Sequence, residues 1–459
     1  MSPSSLEAFP NELLVHITRF INYHDLARLN RTCKRLNAIV EPRIWTSIEL
    51  HNAGYHESSQ ELNDPSPFIP ISRRAYHSTI GGRSGHRQEE KAKRLFKILQ
   101  EYHAINQPRL KELCLRVKNL CTGVKCVWGR TRSDGEKKIL LWYLLPYFTN
   151  IETLELHGDN VYHQSWEQPV EEIVAAPLRF LRFAKLFAYI PREVVQWVTK
   201  SGPTLERLEL GLLDRPISTS LSRNPRFKAL AEEKFDQDSD DGSDVASDYG
   251  SLHGEAVIPR SLGGFLPNNI APDLPMLKVM YLLSPADSPD EDGFVEYTWS
   301  SRSEKASFAD WRRLLLASSK TLETLVLEQR PGANYVEGDG MSEEEYVRVN
   351  QDGSINRTLV RLIEKLLADK DSFPALKRVY LYGFAVGENS KRQPSDTTPG
   401  GRLMLDLKRR GVHCEARLGK WCYFDSNPGY VFWCNWDSRD NEDEKDDGTD
   451  KWDTLLAQV

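Results

Sequence analysis

The residue types in this chain that could do chemistry are its cysteines, its acidic runs and one glycine-rich run. Cys114, Cys121 and Cys126 lie close together, yet no C-x-x-C knuckle occurs. Cys422 and Cys434 flank a turn and are expected to face each other across a hairpin. A zinc site there needs four nitrogen or sulfur ligands, and only His413 and Cys414 are at hand. Buried free thiols are the expected state, because an unpaired cysteine packs as a small hydrophobe. A calcium loop read from Asp236 puts Asp241 where glycine is required and Ser247 where the closing glutamate belongs, which excludes it. The run Gly81-Gly-Arg-Ser-Gly85 has no strand before it and no helix-opening spacing after it, so it is not a phosphate cradle. H-E-x-x-H, the P-loop and G-x-S-x-G do not occur in the sequence. No catalytic residue, metal ligand or cofactor is assigned, and the chemistry expected is that of binding.

The strongest binding signal lies near the N-terminus. Leu13, Leu14, Ile17, Phe20 and Ile21 follow the spacing of one helical face. Pro10 suits the first helical position and Glu12 the positive end of the helix dipole. Asp25 is expected to cap a second helix that turns Leu26, Leu29 and Cys33 to one side. A third helix carries Leu36, Ile39 and Val40 until Pro42 interrupts it, and Ile44 and Trp45 follow. Modules of roughly 40 residues usually need a metal, a disulfide or a partner for stability. With a lone Cys33 and no ligand cluster, a partner is the answer, and the module reads as a docking unit.

This stretch, residues 1–50, resembles an F-box, the module that docks on the Skp adaptor of cullin–RING ubiquitin ligases. The matching residues are Phe9-Pro10 (the family usually has Leu-Pro), Glu12, Leu13, Leu14, Ile17, Asp25-Leu26, Leu29, Cys33-Lys34 and Trp45. The resemblance implies that Phe9, Pro10, Leu13, Leu14, Ile17, Leu26, Leu29, Cys33 and Trp45 hold a Skp-type adaptor and, through it, a cullin. It further implies a non-catalytic substrate adaptor of an SCF-type E3 ubiquitin ligase. The alternative is a scaffold or regulatory protein that uses the F-box only for adaptor pairing. The spacing cannot separate adaptor contacts from residues that fill the module's own small core.

The rest of the chain is organised by a recurring L-x-x-L-x-L hexamer. It is read at Leu110–Leu115, Ile151–Leu156, Leu205–Leu210, Leu277–Leu282, Leu322–Leu327 and Leu376–Leu381, with a looser copy over Leu178–Leu186. Helical patterns precede several copies, at Lys138–Phe148, Pro191–Lys200, Asp310–Lys320 and Asn356–Asp369. Neither half of such a unit buries its apolar face alone, so stacked strands should form one parallel sheet covered by helices. This resembles leucine-rich repeats, of the irregular kind that often follow F-boxes in fungal proteins. The expected fold class is therefore α/β: a three-helix F-box, a polar linker over 51–90, and a leucine-rich-repeat-like solenoid over 91–436. Ile48 and Leu50 should begin its first strand. Leu178 to Leu205 spans 27 residues, within the roughly 20–29 typical of such repeats, and longer intervals imply insertions.

The acidic insertion 232–255 cannot bury enough apolar surface to order itself, and Ser239, Ser243 and Ser247 within it are candidate phosphorylation sites. The loops Asp287–Gly293 and Gly332–Glu345 are candidate substrate contacts. Basic residues between Arg73 and Arg94 read as a solvated linker running into a charged helix. Gly411–Leu418 reads as a last strand. Aromatic runs around Asn427-Pro-Gly429 predict a hairpin within 411–436 that caps the last repeat, in preference to an aromatic ligand cage. The tail 437–459 is acidic.

The net charge of −6 argues against broad nucleic-acid binding. No apolar run approaches the ~20 residues of a membrane span, so no membrane partner is expected. The start of the chain has no leader-like pattern, and the scattered cysteines fit a reducing compartment, cytoplasmic and/or nuclear.

Overall fold

The computed structural model describes residues 9–21, 23–50, 82–123, 141–157, 173, 175–188, 190–217, 258–261, 264–266, 271–286, 301–334, 354–367, 372–382, 384, 386–387, 393–417, 420–425 and 430–435. Three helices open the chain: α1 (Asn11–Thr18), α2 (Tyr23–Leu29) and α3 (Lys34–Ile44). Strand β1 (Ser47–Leu50) follows, then α4 (Gly82–Ile105), α5 (Gln107–Arg116) and β2 (Asn119–Gly123). The elements continue as α6 (Leu141–Leu144), β3 (Thr153–His157), β4 (Phe183–Ala188), α7 (Arg192–Thr199), β5 (Arg207–Ile217), β6 (Ile258–Ser261) and β7 (Val279–Ala286). They end with α8 (Ser301–Ala317), β8 (Thr324–Asn334), α9 (Ser354–Leu367), β9 (Arg378–Tyr382), α10 (Pro399–Arg409), β10 (His413–Arg417), β11 (Lys420–Asp425) and β12 (Tyr430–Asn435). Nine strands pair in parallel in the order β1-β2-β3-β4-β5-β7-β8-β9-β10. The protein is thus α/β, with a parallel sheet.

One backbone device recurs at the start of the strands. The carbonyl of Thr46 accepts hydrogen bonds from both Lys118 and Asn119 N–H. Lys118 does the same for Glu152 and Thr153, and the pattern passes through Glu152, Arg182, Glu206, Lys278 and Glu323, each bond 2.7–3.1 Å long. The apolar residue before each charged anchor, Lys377 included, is buried: Val117, Ile151, Leu181, Leu205, Leu277, Leu322 and Leu376. The anchors' side chains alternate in sign, and neighbours pair: Lys118 with Glu152 at 2.7 Å, Arg182 with Glu206 at 2.6 Å, Lys377 with Glu323 at 2.7 Å. Thr204 and Thr321 reinforce two joints by donating to the carbonyls of Leu181 and Leu277. Elsewhere, Gly264 turns the chain at φ +51°, and the carboxylate of Asp310 on α8 accepts from the next two backbone N–H groups.

The anchors correct the repeat assignment. Leu110–Leu115 is not a strand but part of α5, with Asn106 as its cap and Pro108 in its first turn. Leu110, Leu113 and Cys114 are its buried side, whereas Leu115 is exposed. The first internal copy is Val117–Thr122 instead. At β4 the repeat begins at Leu181, so the interval to Leu205 is 24 residues. The expected linker is also shorter, because α4 begins at Gly82 and includes most of the glycine-rich run.

Both faces of the central strands are buried. Leu154, Leu156, Leu186, Leu208, Leu210, Leu282, Leu325 and Leu327 join the apolar core with Trp197 of α7 and Leu314 of α8. The alternate residues point the other way and are also buried: Glu155, Lys185, Arg207, Glu209, Tyr281 and Glu328. Lys185 Nζ lies 2.8 Å from Glu155 Oε1, Arg207 Nε donates to Glu209 at 2.6 Å, and the Tyr281 hydroxyl donates to Glu328. The Arg207 guanidinium also stacks 5.1 Å over the Phe183 ring.

The C-terminal hairpin forms as expected, from β11 and β12, but it does not cap β10. It pairs in parallel with the far end of β8, over Gly332–Asn334. Those three residues are therefore strand rather than loop. Cys422 pairs with Trp433 and Cys434 with Trp421, so the two cysteines are one residue out of register. The acidic insertion with Ser239, Ser243 and Ser247, the Asp287–Gly293 loop, residues 335–345 and the acidic tail lie outside the described residues.

Breaking a buried charge pair should cost far more than breaking an exposed one. Glu155→Gln leaves the Lys185 ammonium buried and should lower unfolding free energy by about 3–5 kcal/mol. Lys118→Ala, on the exposed ladder, should cost about 1 kcal/mol or less. Urea denaturation of the two variants beside the native chain measures the difference.

Candidate functional site

Helix α1 separates its apolar residues into two faces. Leu14 and Thr18 are buried, as are Leu26 of α2 and Leu36 and Val40 of α3. Leu13 and Ile17 are 49% and 37% exposed, and Phe20, just past the helix, is 79% exposed. These three follow i, i+4, i+7 spacing, which puts them on one side. Phe9, at 38%, and Pro10 extend the exposed surface at the start of α1. The single face expected from spacing is therefore two. Leu14 holds the module together, while Leu13, Ile17 and Phe20 face outward. Phe20 belongs to this surface although it is absent from the nine residues of the F-box resemblance. Its i+7 spacing from Leu13 is the signal that could have found it.

The other expected site residues are placed as follows. Pro10 is the N-cap of α1 rather than its first helical residue. Asp25 lies inside the first turn of α2, where it pairs with Arg28 at 3.3 Å, and does not cap the helix. Cys33 is not on the α2 face but caps α3, its sulfur accepting from Leu36 N–H at 3.4 Å. Pro42 is accommodated within α3 and does not interrupt it. Leu29 is half-buried. Trp45 sits one residue before the first anchor, Thr46, and packs against the core of the sheet rather than beside Leu13.

Two arginines fasten α3 to α1. The Arg35 guanidinium donates to the Phe9 carbonyl at 2.6 Å and to Asn11 Oδ1 at 2.8 Å. Arg43 donates to the Arg19 carbonyl at 2.6 Å. The two helices thus run side by side in the same direction.

The module is mounted on the sheet at two places. β1 pairs with β2 from Ser47 to Leu50. Beside it, four charges close a ring between α3 and α5. Glu41 accepts from Arg109 at 2.5 Å and from Arg116 at 2.9 Å, and Glu112 accepts from the same two arginines at 2.7 and 2.6 Å. The Arg109 hydrogen bond holds the Glu112 carboxyl below its ordinary value, with both arginine charges adding to the effect. The same bond raises Arg109.

Neither Cys114 nor Cys414 offers a reactive thiolate. Burial pushes the Cys114 thiol up to about 12, and burial with the Glu415 charge does the same to Cys414. Among the described residues no three metal-ligating side chains gather, and no helix is long and apolar enough to cross a membrane. A narrow gap beneath α8 and α9 is lined by Leu315, Leu322, Leu325, Ile363, Leu366, Leu367, Phe373 and Leu376, which supply no acid or base.

Glu41→Ala severs the bridge from α3 to both arginines and should cost about 1–2 kcal/mol in urea denaturation, since the ring is half-exposed. Glu112 adds a pH dependence. Its folded value lies below the ordinary 4.5, so its stabilisation is present above that value and is lost as pH falls through the folded one. The urea midpoints of Glu112→Gln and the native chain should differ at neutral pH and converge as the pH falls through the lowered value of the folded carboxyl.

No curated protein matches the chain. Residues 6–51 match the F-box-like family model, so the three-helix module that carries Leu13, Ile17 and Phe20 outward is an F-box-like domain.

Proposed function

We propose that the chain is a substrate-recognition adaptor of an SCF-type E3 ubiquitin ligase, with the F-box-like domain docked on a Skp-type adaptor and, through it, a cullin. The observation that carries this reading is the exposed apolar surface of Leu13, Ile17 and Phe20, with Phe9 and Pro10, on a module held together by buried Leu14, Leu26, Leu36 and Val40. In this reading Leu14 and Leu26 act through the fold of the module, and Trp45 and Leu50 through its mount. The stacked helix–strand units form a leucine-rich-repeat-like body that receives a protein substrate. The chain performs no chemistry of its own. It holds a substrate lysine near a charged ubiquitin carrier and so raises the effective concentration of the reacting groups.

Leu13→Ala with Ile17→Ala should weaken binding of the purified Skp-type adaptor about ten- to a hundred-fold, with an unchanged urea midpoint. Leu14→Ala should instead destabilise the module by about 2–5 kcal/mol. Full-strength binding by the double variant removes the assigned face. Ligase activity is tested by affinity purification under cullin inhibition: captured proteins should accumulate. If the level of every bound protein stays constant, the scaffold alternative replaces the ligase reading.

A further inference from the structure

We infer that the surface received by α1 is acidic, and that its approach is steered by cations at both ends of that helix; this rests on the docking reading above. Residues 6–51 carry six Lys/Arg against five Asp/Glu, in a chain whose net charge is −6. The docking module is therefore opposite in sign to the molecule as a whole. Two of its carboxylates are already engaged, Asp25 by Arg28 and Glu41 by Arg109 and Arg116. Arg19, Arg31 and Lys34 are exposed, and none lies within ion-pair distance of a carboxylate among the described residues. Their positions fall toward the two ends of α1. Arg35 binds the Phe9 carbonyl, which brings the start of α3, with Arg31 and Lys34, against the start of α1. Arg19 stands at the other end, where Arg43 holds its carbonyl.

An eight-residue helix is about 12 Å long, and charges are screened over about 8 Å at physiological salt. The field of cations at both ends therefore reaches along the length of the helix. The acidic remainder of the chain repels an acidic partner, while this end attracts it. The same field that accelerates the encounter also orients it, so the effect belongs to the association rate more than to residence time. Contact with Leu13, Ile17 and Phe20 then sets how long the complex lasts.

The test is the association rate of the full chain with purified Skp-type adaptor at about 50 mM and about 500 mM salt. The comparison variant is Arg19→Glu, Arg31→Glu, Lys34→Glu, with its thermal midpoint checked against the native chain. The native rate should fall at least about ten-fold with added salt. The variant should associate at least about ten-fold more slowly at low salt, match the native rate at high salt, and dissociate within about two-fold of it. If the variant does not fold, the native salt dependence decides alone. Equal, salt-independent rates with intact binding overturn the inference and leave the docking reading standing. Failure of the native chain to bind the adaptor at either salt overturns both. A single-stranded RNA oligonucleotide that displaces the adaptor, and loses its own binding in the variant, makes this a polyanion site and overturns the acidic-protein assignment.

Discussion

A parallel sheet cannot close its backbone hydrogen bonds with tight hairpins, so each strand must be delivered in register from a distant part of the chain. In this protein the delivery is made by one carbonyl per unit. It accepts two successive N–H groups from the next unit, where the chain passes from turn to strand. The geometry fixes where each strand starts, and the period-2 alternation then decides which side chains enter the core. A slip of one residue would drive Glu155, Lys185 and Glu209 into the leucine core and bring the leucines out. The opposite face is itself closed, and its charges are matched across or along strands, by Glu155 with Lys185 and Arg207 with Glu209. Register is thus enforced from both faces, apolar on one and electrostatic on the other.

The F-box-like module inherits this order. Thr46 is the first carbonyl of the series, and Trp45 occupies the place that Val117 and Ile151 occupy later. The module ends where the sheet begins, with no spacer between. The Glu41–Arg109–Glu112–Arg116 ring then removes the freedom to pivot about β1. A face with Leu13 and Ile17 turned outward is consequently held at a set orientation to the strands.

Much of this was legible in the sequence. The hexamer located β3, β4, β5, β7, β8 and β9 because its apolar positions must meet one core. It failed at Leu110–Leu115 because i, i+3 spacing also fits a helix, and there Cys114 supplied the i+4 contact. The earlier Asn106-Gln-Pro108 start was the local sign of that helix. The docking face was legible as a helix but not as two faces, since Leu13 and Leu14 are equally apolar. Only the packing of α2 and α3 decides which turns inward. The hairpin was legible from its turn, yet its seat on β8 was not, because strand pairing across distant segments leaves no local mark. The buried charges were the least legible: Glu155 and Lys185 resemble ordinary surface residues until the strands are brought together.

The alternation of sign along the anchors acts as a parity rule. From Lys118 through Glu152, Arg182, Glu206, Lys278 and Glu323 to Lys377, adjacent units present opposite charges, and units two apart present the same charge. The leucine hexamers are nearly interchangeable, so the core hardly distinguishes a correct neighbour from the one beyond it. The ladder does, because stacking that omits one unit sets like charge on like. Each rung contributes little to stability, about 1 kcal/mol or less. Its effect is on the order of assembly, and it implies that such a chain lengthens or shortens without conflict only by units taken two at a time.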